Sequence, residues 1–168
     1  MKTKPENSYL RKFKKMNTHK QIKEFIQKEI LLENFCLPQF YPKEGKLLDF
    51  QVGYKTNANS GEKITGEQEG DFKESWFVIC SSYASDPFFI DINQENEDFP
   101  VYFSWAGTGT WVPIKVAETI SDFTNQLLLL KKWELEESES IQNKMKEHFD
   151  TNHEFWKEVC LEYTIEEE

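Results

Sequence analysis

The chain predicts an α+β fold, with an antiparallel β-meander sheet flanked by N- and C-terminal helices. Three observations carry that expectation. Short runs of alternating apolar residues crowd residues 76–116, and runs with helical spacing lie before and after them. The connections between the strand-like runs are about five to eight residues long, whereas a parallel crossover needs about a dozen or more. The length of 168 residues fits a single domain over 1–168, because domains cluster near about 100–150 residues.

Residues 1–16 carry Lys2, Lys4, Arg11, Lys12, Lys14 and Lys15 against Glu6, a net +5. They read as a basic, frayed and solvated arm. A helix is expected from Thr18 to Glu33, where Thr18 and Gln21 have capping-box spacing and Ile22, Phe25, Ile26 and Ile30 form one apolar stripe. Pro38 and Pro42 then break the chain. Leu48, Phe50, Val52 and Tyr54 alternate with Asp49, Gln51 and Gly53, which predicts a half-buried strand. Residues 55–74 are polar, contain Gly61, Gly66 and Gly70, and predict a mobile loop or loose hairpin.

The apolar run Trp76–Cys80 suits a central strand. Phe88, Ile90 and Ile92 define the next strand, and Val101, Phe103 and Trp105 the one after it. Val112, Ile114 and Val116 define a last strand, in which Pro113 favours an edge or a bulge. A helix from Thr119 to Lys132 turns Ile120, Phe123, Leu127 and Leu130 towards the core. The final helix is expected over Ser140–Tyr163 within an acidic C-terminal stretch, residues 133–168. Its stripe is Ile141, Met145, Phe149, Trp156, Val159 and Tyr163.

Composition narrows the partners. The formal net charge is −10, with −15 on residues 17–168 and −9 on residues 134–168 alone. A body of that sign repels nucleic-acid phosphates and attracts a basic protein at long range, besides keeping the chain soluble. No run approaches the ~20 apolar residues of a membrane span, and no secretory signal is evident. Cys36, Cys80 and Cys160 are odd in number and unpaired in spacing, as expected for reduced, buried thiols of a cytoplasmic protein.

Motifs for chemistry fail on position. His148 and His153 are five apart, which sets them ~140° apart around a helix rather than on one face, and no Cys pair completes a zinc site. Asp91, Asn93, Glu95 and Glu97 place oxygens at alternate positions like a calcium loop. The glycine and bidentate glutamate that such a loop needs are replaced by Asn96 and Tyr102. Gly107-Thr108-Gly109-Thr110 is too short for a phosphate-binding loop and reads as a hairpin turn. The odd spacing of Asp86 and Asp91 sends them to opposite faces of an extended segment. Ser81 and Ser82 have no base nearby in sequence. The sequence therefore predicts no enzyme, no catalytic residue, no metal and no cofactor; the competing enzymatic reading needs a Cys–His pair built on Cys80 or Cys160.

One constellation survives as a protein-binding surface. Trp105 and Trp111 flank the Gly-Thr-Gly turn, with Tyr102 and the acidic residues Glu95, Glu97 and Asp98 close in sequence. Trp105 shares its face with Val101 and Phe103 and is assigned to the core, leaving Trp111 partly exposed. The predicted partner-binding set is Glu95, Glu97, Asp98, Tyr102, Thr108 and Trp111.

Asp86-Pro87-Phe88-Phe89-Ile90-Asp91, Pro100-Val101-Tyr102-Phe103 and Gly107-Thr108-Gly109-Thr110-Trp111 occur in this order, followed by Pro113-Ile114 and Ala117-Glu118-Thr119-Ile120-Ser121-Asp122-Phe123. In these motifs and their order, over residues 18–132, the chain resembles the SUKH superfamily of bacterial immunity proteins and fungal cell-wall regulators. The stretch after residue 133 lies outside the resemblance. The resemblance implies an α+β fold without intrinsic catalysis and a cytoplasmic immunity protein that binds and neutralises a cognate toxin, often a nuclease. The expected partner is a basic toxin domain, with neither nucleic acid nor membrane bound. The competing expectation is a regulatory or scaffold module with a housekeeping partner, such as one in cell-wall synthesis.

Overall fold

A computed structural model of the chain describes residues 8–137 and 140–165. Helices α1 (Ser8–Met16) and α2 (Lys20–Lys28) precede strands β1 (Trp76–Ser81), β2 (Pro87–Asp91), β3 (Val101–Phe103) and β4 (Ile114–Ala117). Helices α3 (Ile120–Glu136), α4 (Ile141–His148) and α5 (Glu154–Ile165) follow. The strands form one antiparallel sheet in the order β1-β2-β3-β4, so the α+β meander expected from the short connections is present.

Strand alternation divides the sheet into two faces. Phe77, Ile79, Phe88, Ile90, Val101, Phe103, Ile114 and Val116 face the helices and form the main core with Phe25, Phe123, Leu127 and Phe155. Phe88 stacks on Phe123 at 5.3 Å and meets Phe155 edge-on at 5.7 Å. The opposite face presents Val78 and Phe89 to Phe72, with Phe50, Tyr54, Trp76, Tyr102 and Trp111 packed around them. The 49–74 segment thus covers a second apolar cluster, although its only pairings are isolated bridges, Val52 with Thr56 and Thr56 with Lys63.

The N-terminal segment differs from the expected arm. Residues 8–16 form α1, whose Phe13 and Met16 are buried while its charged side chains point outwards. Phe13 stacks on Phe77 at 5.4 Å. The Lys55 ammonium lies 3.3 Å from the centre of the Phe13 ring and donates to the Glu74 carbonyl. Burial of Phe13 and Met16, with the Phe13 ring packed on Phe77, fixes this helix, and its basic outer face conceals that anchorage in the sequence. Residues 1–7 of the expected arm lie outside the described residues.

Three other elements are corrected. The helix expected over 18–33 is confined to Lys20–Lys28; His19 is its N-cap, and the Thr18 hydroxyl instead donates back to Lys15 O at 3.2 Å. Glu29 ends it in the left-handed region at φ 41°. The strand expected over Leu48–Tyr54 is a 3-10 turn, Asp49–Gln51, followed by tight turns. Its alternation has a different origin: Phe50 and Tyr54 pack on the Phe72 cluster, while Gln51 is buried for its amide. The last helix divides at Phe149–His153, where the Asp150 carboxylate accepts from Asn152 N–H at 3.1 Å and the Asp150 carbonyl from His153 N–H. Local side-chain bonding of this kind competes with helix continuation.

The other helix starts follow the rules of capping. Thr119 accepts from Asp122 N–H at 3.0 Å and Ser140 from Asn143 N–H at 3.4 Å, so each hydroxyl satisfies a first-turn donor. Both edge strands are covered as well. On β1, the Gln51 amide donates to Val78 O and accepts from Val78 N–H, each at 2.8 Å, in the manner of a neighbouring strand. Phe40 exchanges backbone bonds with Ser81 further along the same strand. On β4, Trp156 Nε1 donates to Val116 O at 3.1 Å and His153 Nε2 contacts Lys115 O at 2.9 Å. These contacts occupy backbone groups that would otherwise invite pairing with another chain.

Candidate interaction surfaces

The acidic turn is built by a 3-10 segment, Ile92–Glu97, that begins when the Asp91 carboxylate caps Asn93 N–H at 2.9 Å. Asp98 and Phe99 then both adopt φ 55°, a conformation costly for side chains with a Cβ. Full burial of the Phe99 ring, which meets His19 edge-on at 5.1 Å, holds the turn in that shape. Glu95, Glu97 and Asp98 consequently stand in solvent. Glu95 Oε1 lies 3.2 Å from His19 Nε2, and Lys12 donates to Asn93 at 3.4 Å, so the basic end of the chain abuts this turn. Exposed pairs of this type contribute at most about 1 kcal/mol each.

Tyr102 is half-buried on β3, stacked on Phe89 at 5.8 Å, with its hydroxyl donating to Gln94 at 3.0 Å. Thr108 and Trp111 lie in the 104–113 connection beyond the far end of β3. There Gly107 and Gly109 supply the positive φ values that the expected turn requires. The Thr108 hydroxyl is exposed and donates to Thr110 O at 2.7 Å. Trp111 packs edge-on against Phe72 at 5.5 Å, and its backbone N–H reaches Gly70 O at 2.8 Å. It locks the 49–74 segment onto the sheet. The six expected contact residues therefore split between the two ends of β3, with Tyr102 between them. Trp105 lies beyond the end of β3 and packs edge-on against core residue Phe103 at 4.7 Å.

The groups singled out for chemistry have structural partners. Burial pushes the Cys80 thiol far up. Burial also raises Cys36, reinforced by the hydrogen bond and charge of Glu162 and by the charges of Glu158 and Asp86. Desolvation raises Cys160, opposed by Lys146. A raised pKa leaves the thiol protonated, the opposite of an activated nucleophile. His153 Nδ1 accepts from Phe155 N–H at 3.2 Å, and the His148 ring packs on Trp133 at 5.4 Å. Asp86 accepts from Ser82 Oγ at 2.7 Å and from Ala106 N–H at 2.7 Å, so it ties two loops together. Among the described residues no cluster of metal-ligating side chains occurs.

The sequence reading missed a solvent-facing aromatic pair, Phe35 and Tyr83, which are 58% and 65% exposed with ring centres 5.1 Å apart. The backbone beneath Phe35 is rigidly held. Buried Asn34 donates to Val159 O at 2.9 Å and accepts from Cys36 N–H at 3.1 Å. The Glu162 carboxylate accepts from Phe35 N–H and Cys36 N–H, both at 3.0 Å. Gln39 bridges Leu32 O and Asn34 O at 2.8 and 3.0 Å, while Leu37 is fully buried. The Asn34, Gln39 and Glu162 side chains bond inwards to this backbone, and the Phe35 ring turns out. The available signal was the aperiodic apolar stretch Phe35-Cys36-Leu37-Pro38, too short and irregular to belong to a helix or strand.

Comparison with protein-family models, with curated proteins and with solved structures finds no match. No helix among the described residues is long and apolar enough to cross a membrane. The class defined by the structure is an α+β protein whose second sheet face is closed by a long irregular segment.

Proposed function

We propose that the chain is a non-catalytic protein-binding protein, an immunity protein of the SUKH type that neutralises a cognate toxin by stoichiometric binding inside the cell. The observation that carries this reading is the Phe35–Tyr83 pair, two large rings held in solvent on a hydrogen-bonded frame beside carboxylates of α5. Large aromatic side chains such as tyrosine, once buried at the centre of an interface, are among the residues that contribute most to protein–protein affinity. The charge distribution agrees with a basic partner. Residues 29–168 hold 11 basic and 28 acidic side chains, a net −17, whereas residues 8–28 hold seven basic and one acidic, a net +6. A basic protein approaching the larger acidic part is steered towards it, and the encounter rate falls with added salt.

The test is affinity capture with the whole chain, identification of the retained protein, and reconstitution from purified components. The expected result is a saturable complex of fixed stoichiometry in which the partner's toxic activity is abolished. Full partner activity at saturating chain would overturn the immunity reading. A retained protein with a housekeeping role and no toxicity would assign the chain to a scaffold instead.

A further inference from the structure

Resting on the protein-binding reading, we propose that the Phe35–Tyr83 face is the contact surface and that it takes an arginine-bearing segment of a basic partner protein. The two rings lie 38° from coplanar and leave an open aromatic surface at one end of β1. The Glu162 carboxylate adjoins it, on a helix that carries further carboxylates. Glu154, Glu158 and Glu162 recur every fourth residue along α5 and so share a helix face, and Glu162 is bonded directly beneath Phe35. Glu33, also exposed, immediately precedes the Asn34 anchor. Burial raises the pKa of the Cys36 thiol beside Phe35, and the hydrogen bond and charge of Glu162 and the charges of Glu158 and Asp86 add to it.

The chemistry of the occupant follows from that combination. A guanidinium is planar and weakly hydrated; it stacks on an aromatic face while its N–H fork reaches a neighbouring carboxylate. An ammonium satisfies only the charge. Strand addition along β1 is closed off, because Gln51 occupies the outer edge at Val78 and Phe40 at Ser81. Recognition here therefore runs through side chains. The charge of the acidic body also opposes like-charged occupants, including the acidic surface of a second copy.

The experiment is an NMR titration of the isotope-labelled full chain with a synthetic peptide of alternating arginine and leucine, and with its lysine counterpart. The expected result is saturable shifts centred on Phe35, Cys36, Tyr83 and Glu158, with the lysine peptide binding more weakly. Combining Phe35→Ser with Tyr83→Ser weakens binding by about 30-fold, the scale of losing a hot spot, whereas Tyr83→Phe stays within about threefold of the parent. Both side chains are exposed, and an unchanged spectrum elsewhere verifies the fold of each variant. Shifts spread without saturation over the acidic surface, or centred on Glu95–Asp98, overturn the proposal. So do concentration-dependent shifts at Phe35 and Tyr83 in the chain alone, which would identify a second copy as the occupant. The peptide reads this face by itself, so binding here without any captured toxin refutes only the immunity reading. A captured toxin bound equally well by the Phe35→Ser, Tyr83→Ser chain refutes only the face.

Discussion

Replacing Gln51 tests how a single side chain closes the exposed edge of the sheet. Gln51 is 6% exposed and makes three hydrogen bonds, donating to Leu47 O at 3.1 Å and to Val78 O at 2.8 Å while accepting from Val78 N–H at 2.8 Å. Gln51→Leu keeps most of the volume but leaves both backbone groups of the fully buried Val78 without a partner. At about 1–3 kcal/mol for each orphaned group, the expected loss is about 2–6 kcal/mol. That is a large share of the ~5–15 kcal/mol that holds a typical domain. Urea unfolding followed by tryptophan fluorescence measures it as a lower midpoint at an unchanged slope. Gln51→Glu sharpens the test. The new carboxylate still accepts from Val78 N–H but faces Val78 O with an oxygen, so its folded pKa must rise above the unfolded value. The protonated form can donate, and the deficit relative to the parent chain should shrink as pH falls from 7 to 4. A Gln51→Leu chain within about 0.5 kcal/mol of the parent would refute the assignment of Gln51 as an edge cap.

Other consequences are equally direct. Phe13→Ala should destabilise by about 3–5 kcal/mol in the same assay, because the ring is buried against Phe77 and Lys55; a frayed arm predicts no change. Burial lowers the Lys55 pKa to about 7, against the raising effect of Glu74 and with a further lowering by Lys63. Between that value and the ordinary lysine range the unfolded chain binds the extra proton, so this residue makes stability increase with pH. From pH 7 to 9 the parent should gain about 2 kcal/mol relative to Lys55→Met, and parallel curves would contradict the shift. Reversing Glu95, Glu97 and Asp98 to Lys should slow partner association, mainly at low salt, if the turn helps to steer the encounter; an unchanged on-rate removes it from that role.

The strands were legible because each reports its burial within a few residues. Trp76–Cys80 is apolar throughout, Val101–Phe103 alternates between the two clusters, and in Ile114–Ala117 the core residues Ile114 and Val116 flank exposed Lys115. The α3 start was legible for a similar reason, since Thr119 needs only Asp122 N–H to act as a cap. Misreadings arose where a residue's role is decided by a distant partner. Gln51 looks like the solvent side of a strand until Val78 is placed beside it, 27 positions away. Phe13 and Met16 are too few apolar anchors to mark α1 among its lysines. The expected contact residues cluster in sequence, yet β3 holds their acidic and glycine-turn members apart. The Phe35–Tyr83 pair shows the converse, because neither residue belongs to a regular element and backbone bonds between distant segments, from Gln39 and Phe40 to Ser81 and from Tyr83 N–H to Phe35 O, bring them together. Periodicity cannot report such a contact.

Titrating the purified chain into its captured and purified partner, while recording the partner's activity, is the most direct test of stoichiometric neutralisation. The expected result is a linear fall in activity that reaches zero at a fixed molar ratio, with association slowing as salt is raised. Activity that persists when every partner molecule is bound would contradict it.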